Sequence, residues 1–140
     1  MGGKIVLIRY VLSSIPLYWL QVLQPPRAVL GAMARLCNAF LWDSSDSRRN
    51  HWAAWEKVCY PVDEGGLGFR SLETLSMAFA CKLWWKLRKN ESLWSNIIHC
   101  KYVKAVHLEL VTIPRSSAMW RHLLEVRDFA EGNIRWCLGD

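Results

Sequence analysis

Two adjacent prolines, Pro25 and Pro26, cut the apolar first third of this chain into helices that cannot be continuous. Proline lacks an N–H and clashes with the preceding turn, so a helix ends before it, while a new helix can begin on it. Pro16 makes an earlier break, because the residue before a proline is pushed out of helical geometry. Between Lys4 and Ser14, Ile5, Val6, Leu7, Ile8, Val11 and Leu12 are apolar nearly all round. Their β-branched content permits a strand, but Leu7, Ile8, Val11 and Leu12 also recur at helical spacing. We read a buried helix ending before Pro16, followed by a short helical piece from Leu17 to Leu23.

The next segment is more regular. Val29, Leu30, Met33, Leu36, Cys37, Phe40 and Leu41 recur at the spacing of one helical face, an amphipathic stripe that starts from Pro26. Asp43 to Asn50 is polar and turn-rich and reads as an exposed loop. Glu64-Gly65-Gly66-Leu67-Gly68 places three glycines where the backbone needs positive φ or a close approach. Ser71 is a suitable N-cap, with Glu73 in the first turn where the helix dipole favours an acid. That helix should run to about Asn90, and another from Glu91 or Ser92 to about Tyr102. Val103 to Arg115 reads as irregular. Ser116 or Ser117 then caps a last helix to about Ala130, and Gly132 to Asp140 reads as a strand. The fold class is mainly α: five or six helices, a Gly-rich turn and at most a short hairpin around His51 to Phe69.

Composition narrows the function classes. A 52% hydrophobic chain of 140 residues with nine Trp is not a disordered tail. So many aromatics in so short a chain imply an apolar face that meets another domain. The formal charge of +6 suits a polyanionic partner. The five cysteines are odd in number and widely spaced, without a CxxC, which fits free, mostly buried thiols in a reducing compartment. His51 with Cys59, and Cys81 with His99 and Cys100, lack the paired short spacing of a zinc module, so no metal or cofactor is expected. The longest uncharged stretch, Tyr10 to Pro26, falls short of the roughly 20 predominantly apolar residues that span a bilayer. No cleavage pattern follows the N-terminus. An intracellular protein, nuclear or cytoplasmic rather than secreted and not in a membrane, is the expectation.

Four signatures occur in order along the chain: GGKIVLIRYVLSSIP from Gly2, FLW at Phe40 to Trp42, HWAAWEKVCYPVDEGGLGFRSL from His51, and KLWWKLRKNESLWSNIIHCKY with WRHLLEVRD and IRWCLGD. Together they resemble plant non-LTR, LINE-type retrotransposon polyproteins. The corresponding family patterns are GGR-x-x-LIKSVLSSIP, FLW and HW-x-x-W-x-x-VC-x-P-x-x-EGGLG-x-x-x-L. The resemblance implies a segment that follows the reverse-transcriptase palm and leads into the reverse-transcriptase zinc-binding region and, often, a ribonuclease H-like domain. It implies a thumb-like helical part at residues 1–50, a connector at 51–115 and the truncated start of the zinc-binding region at 116–140. A start at Met1, deep within the family's polymerase, suggests a decayed or truncated copy of a larger multidomain protein.

That resemblance implies positioning of RNA or an RNA/DNA primer–template rather than chemistry. The adjacent Asp-Asp pair that holds polymerase metals is absent, and only Asp63 and Glu64 are neighbouring acids. Ser13, Ser14, Ser116 and Ser117 lack a GxSxG setting, and nothing in the sequence activates Cys59. No catalytic residue is therefore assigned. For binding, Lys82, Lys86 and Lys89 fall within about 60° on a helical wheel, flanked by Trp85, with Arg88 not far off. Such a stripe can hold a phosphate backbone and stack a base. Its competitor is a solvated lysine face opposite a core of Leu72, Phe79, Leu83 and Leu87. Arg48 and Arg49 are further candidates, though Asp43 and Asp46 offset their field. Trp52 and Trp55 can stack bases, but aromatics at this spacing more often pin a segment to the core. The alternative function is a helical protein-interaction module using an exposed Trp-rich face. Neighbouring polyprotein domains and self-association complete the expected partners.

Overall fold

A computed structural model describes residues 2–22, 25–42, 53–104, 106–111 and 116–135. These residues are mainly helical, and no strand occurs among them. The chain divides into two compact units, Met1–Ser76 and Met77–Asp140, with the division falling inside one helix.

In the first unit, α1 (Gly2–Leu7) runs into a π-helical turn at Ile8–Leu12. The widened turn closes through Ser13 N–H donating to Ile8 C=O at 2.9 Å. The Ser13 and Ser14 hydroxyls donate to the Ile8 and Val11 carbonyls, each at 2.7 Å, which satisfies acceptors left open at the helix end. Pro16 then sits in the first turn of α2 (Ile15–Val22), so this helix begins two residues before the expected Leu17. α3 (Arg27–Trp42) follows Pro25-Pro26 as expected. It packs on α1, on the π-turn and on α4 (Trp55–Val58).

The core of this unit consists of Ile8, Leu41, Val58 and Phe69, with Ile5, Leu12, Trp42, Trp55 and Leu67 against it. Trp55 stacks on Phe69 at 5.6 Å between ring centroids, so this tryptophan belongs to the core. Trp52 lies outside the described residues. The expectation that the opening helix is buried on every side is corrected. Of α1 and its π-turn only Ile8 is buried, while Val6, Leu7, Tyr10 and Val11 are exposed. α3 likewise buries Leu30 and Leu41 but leaves Val29, Leu36 and Phe40 exposed. A helix that is apolar all round needs neighbours on all sides, and this unit covers one side only. By length and composition alone the helical run Gly2–Gln21 is long and apolar enough to cross a bilayer, and little of it is buried in the protein.

The Gly-rich stretch replaces any hairpin. A 3-10 turn at Val62–Glu64 leads into Gly65 at φ 84°, and Gly68 sits at φ 66°. The loop folds back through Leu67 N–H to Val58 C=O and Gly68 N–H to Tyr60 C=O, both 2.9 Å. Gly66 passes so close to Tyr60 that a Cβ there would collide with the Tyr60 carbonyl. Both reasons for glycine expected from the sequence are thus realised, at different positions.

α5 (Leu72–Lys89) begins after Ser71, whose carbonyl accepts from Leu75 N–H at 3.0 Å. In the second unit Ala80, Trp84 and Leu87 of this helix are buried against a core that includes Ile98, Tyr102, Trp120, Leu123 and Val126. α6 (Leu93–Ile98) starts on a capping box in which Ser92 and Ser95 each satisfy the other's backbone N–H. It continues as a π-helical turn to Val103. After a 3-10 turn at Leu108–Leu110, Ser117 caps α7 (Ala118–Gly132) by accepting from Trp120 N–H at 3.3 Å. Tyr102 stacks on Trp120 with centroids 4.7 Å apart. The expected strand from Gly132 is corrected at its start: Gly132 is the last residue of α7 and Asn133 its C-cap. The Asn133 amide donates back to Phe129 C=O at 2.7 Å, prolonging the helical end. Residues 136–140 lie outside the described residues.

Gly66→Ala should destabilise the first unit by well over the ~1–2 kcal/mol expected for Gly65→Ala, which suffers only the left-handed backbone penalty. Urea unfolding of both variants measures the difference, and equal midpoints would refute the close approach.

Candidate nucleic-acid interface

α5 separates its two faces cleanly. Ala80, Trp84 and Leu87 point inward, and Lys82, Trp85, Lys86 and Lys89 are all exposed. The order follows from the 3.6-residue period, which carries the lysines about half a turn away from the buried seam. Of the core expected opposite the lysines, Leu87 belongs to the buried seam, which Ala80 and Trp84 complete, while Phe79 and Leu83 are half-buried and flank the lysine side, Phe79 lying two turns before Lys86. Lys89 Nζ lies over the Trp85 ring, 5.7 Å from its centroid. That cation–π contact holds an aromatic surface, 39% exposed, beside a positive charge. The structure therefore brings four of the six sequence-selected residues onto one solvent-facing strip. Arg48 and Arg49 lie outside the described residues.

Arg88 is not part of the strip. It pairs with Glu131 and, at 3.2 Å, with Glu109, and these carboxylates neutralise it. Burial works against its charge, but the hydrogen bonds to Glu109 and Glu131 outweigh burial and hold its pKa above the ordinary value. Glu131 also accepts from Trp84 Nε1 at 2.7 Å. Arg88 thereby ties the inner face of α5 to α7. A cleft of about 650 Å³ opens beside it, lined by Arg88, His99, Lys104, Val106 and His107 among others.

Sequence reasoning missed a second cleft, of about 520 Å³, in the first unit. Arg9, Tyr10, Ser13, Ser14, Leu17, Val62, Gly68, Phe69 and Arg70 line it. No carboxylate is among these lining residues. Arg9 donates to the Leu67 carbonyl, which seats the opening helix on the Gly-rich loop. The only sequence signal was the IRY run at Ile8 to Tyr10, which breaks an otherwise apolar helix.

Tryptophan is used mainly inward. Among the described residues Trp84 and Trp120 are fully buried, Trp42, Trp55 and Trp94 half-buried, and Trp19 and Trp85 exposed. The cysteines are less buried than the sequence suggested. Cys37, Cys59 and Cys81 are intermediate and Cys100 is exposed, all as free thiols, and Cys59 and Cys81 sit at the margins of the two cores rather than inside them. Burial, and then the neighbouring Cys37 and Glu56 side chains, push the Cys59 thiol up to about 11. Burial likewise raises Cys37 and Cys81. His51 lies outside the described residues. Among the described residues no three His, Cys, Asp or Glu side chains gather as a metal site would require.

The chain is similar to a "putative ribonuclease H protein" of Arabidopsis thaliana, 32% identical over 145 residues, covering 99% of this chain but 23% of that relative. It is also similar to an "uncharacterized mitochondrial protein" of Arabidopsis thaliana, 24% identical over 131 residues, covering 91% of this chain and 85% of that protein. The chain thus spans under a quarter of the length of the ribonuclease H-named relative. No family model matches it, and no solved structure matches it significantly.

The raised Cys59 pKa has two consequences. At pH 8 Cys59 should alkylate far more slowly than exposed Cys100, as mass spectrometry after iodoacetamide would show. Its folded-state pKa lies above the ordinary 9.0, so between pH 9 and about 11 the unfolded chain loses this proton and the folded chain keeps it. Folding stability should therefore fall across that window, and Cys59→Ala should flatten the fall.

Proposed function

We propose that this chain is a noncatalytic, vestigial segment of a plant non-LTR retrotransposon reverse-transcriptase polyprotein, of the kind that positions RNA or a primer–template. The observation that carries the reading is the solvent-facing strip of Lys82, Trp85, Lys86 and Lys89, with Lys89 held over the Trp85 ring. It is supported by the four ordered signatures and by similarity to a ribonuclease H-named relative across nearly the whole chain. Each lysine on the strip displaces a counterion from a phosphate backbone, and the indole offers a face to a base or sugar. Carboxylate pairs of the polymerase kind are missing from the sequence, so binding without turnover is the activity to expect. The zinc-binding region belongs, in this reading, to the larger polyprotein.

The test is binding of an RNA/DNA duplex by the pure chain across a salt series. Replacing Lys82, Lys86 and Lys89 with Gln should weaken binding similarly for unrelated sequences. It should also reduce the salt slope by about two to three units. An unchanged slope in the triple variant would leave a merely solvated lysine face. Primer extension dependent on Mg²⁺ or Mn²⁺ would overturn the noncatalytic half of the reading.

The same reading assigns the exposed apolar side chains Val6, Leu7, Val11, Ile15 and Trp19 to contact with neighbouring polyprotein domains. The chain by itself should then self-associate at micromolar concentration, which analytical ultracentrifugation measures. A dilute and concentrated sample with the same monomeric mass would refute this.

A further inference from the structure

We infer that the cleft lined by Arg9, Tyr10 and Arg70 is a nucleotide subsite for single-stranded nucleic acid, separate from the lysine strip. This rests on the nucleic-acid reading above but uses none of the same residues. Three features of the cleft lead to it.

The first is charge. Arg9 and Arg70 both line a cavity of about 520 Å³, and no carboxylate is among its described lining residues. The cleft beside Arg88 is the instructive contrast, because there Glu109 and Glu131 occupy the arginine. Arg9 gives one N–H to the Leu67 carbonyl and keeps the rest of its donor fork. Arg70 follows the Gly-rich loop and is exposed. Arginine forks match phosphate oxygens two at a time, so a pair of them in an acid-free cleft selects a phosphodiester over a neutral ligand.

The second feature is the aromatic rim. Tyr10 is 68% exposed, yet it lies at the cleft beside buried Phe69, with Leu17 and Val62 supplying apolar lining. A phenol ring at the edge of a cationic pocket is the arrangement on which an unstacked base settles. Bases in a duplex are already stacked, so this rim favours a single strand. The Ser13 and Ser14 hydroxyls spend their protons on the Ile8 and Val11 carbonyls and present only lone pairs. They can accept from a base edge, and they leave phosphate to the arginines.

The third feature is the floor. At Gly68 a Cβ would lie 3.3 Å from a Val62 methyl and 3.4 Å from an Arg9 guanidinium nitrogen. Glycine at this position keeps the pocket open and leaves the Arg9 head group unobstructed. Its φ of 66° also suits glycine on backbone grounds, so the same residue shapes the loop and the cavity.

The experiment uses the full chain and a fluorescein-labelled single-stranded oligonucleotide, read by anisotropy over a salt series, with circular dichroism to verify folding. Arg9 is left intact because it also holds the loop. Arg70→Gln should weaken binding about tenfold and lower the salt slope by ~0.7, the value for one phosphate on a single strand. Tyr10→Leu should weaken single-strand binding about tenfold while leaving the slope and duplex binding unchanged. That split separates stacking from charge and from misfolding.

Wild-type affinity in both variants, alongside loss in the Lys82/Lys86/Lys89→Gln variant, overturns the subsite and leaves the strip standing. The reverse pattern supports the subsite and removes the strip. If the unaltered chain binds no oligonucleotide, both fall together. Binding to phosphatidylserine vesicles that Arg70→Gln abolishes, with oligonucleotide binding unaffected, would replace the nucleotide with a membrane surface and overturn the proposal.

Discussion

The Glu131 carboxylate carries more of the second unit than any other polar group described. One oxygen accepts from Trp84 Nε1 and the other from Arg88, so two consecutive turns of α5 are fastened to the end of α7. A hydrogen bond to a charged group contributes roughly 1.5–3 kcal/mol, and here it also satisfies an indole N–H that would otherwise be buried without a partner. With Trp84 directed inward, Trp120 fills the space beneath and stacks on Tyr102. The rotation of α5 about its own axis is thereby set. Because that rotation is set, the lysines half a turn away have one direction left to them, toward solvent.

The first unit is held differently. Its small core of Ile8, Leu41, Val58 and Phe69 adjoins a loop that folds back through three glycines, Gly65 and Gly68 at positive φ and Gly66 in close approach to Tyr60. Arg9 joins the two halves of this arrangement by reaching from the opening helix to the Leu67 carbonyl. An arginine inside so apolar a helix thereby has a structural use. The apolar surface left uncovered on the same helices marks the other side of the balance. A chain this short covers one face of a helix and leaves much of the rest exposed.

These two units distribute their charges unequally. In the second, acids and bases are interleaved, and Arg88 and Arg127 are committed to holding segments together. Arg127 donates to the Glu109 carbonyl at 2.8 Å and so braces the irregular stretch before α7. Basic side chains left exposed in this unit include Lys82, Lys86 and Lys89 on the exterior of α5, and also Lys101, Lys104, Arg121 and Arg135. In the first, no carboxylate is among the described residues that line the cleft around Arg9 and Arg70. Net charge alone would have treated all of these arginines alike.

Much was legible in the residues themselves. Proline spacing placed the breaks around α2 and α3, serines placed the caps of α6 and α7, and glycine clustering announced the tight loop, because each of these is a local property of the backbone. The lysine strip was legible too, since helical periodicity is arithmetic on sequence. Other outcomes required the tertiary arrangement. Apolarity of the opening helix could not say that, among the described residues, Ile8 would be buried while Val6, Leu7, Tyr10 and Val11 stay exposed. The position of Arg88 beside the strip could not say that two distant glutamates would claim it. The cleft joins residues 9–17 to residues 62–70, about fifty positions apart, so no local pattern contains it. Sequence determined which segments form helices and where each ends, since those choices are made within a few residues. Tertiary structure decided which charges remain available, since that depends on what the fold brings beside them.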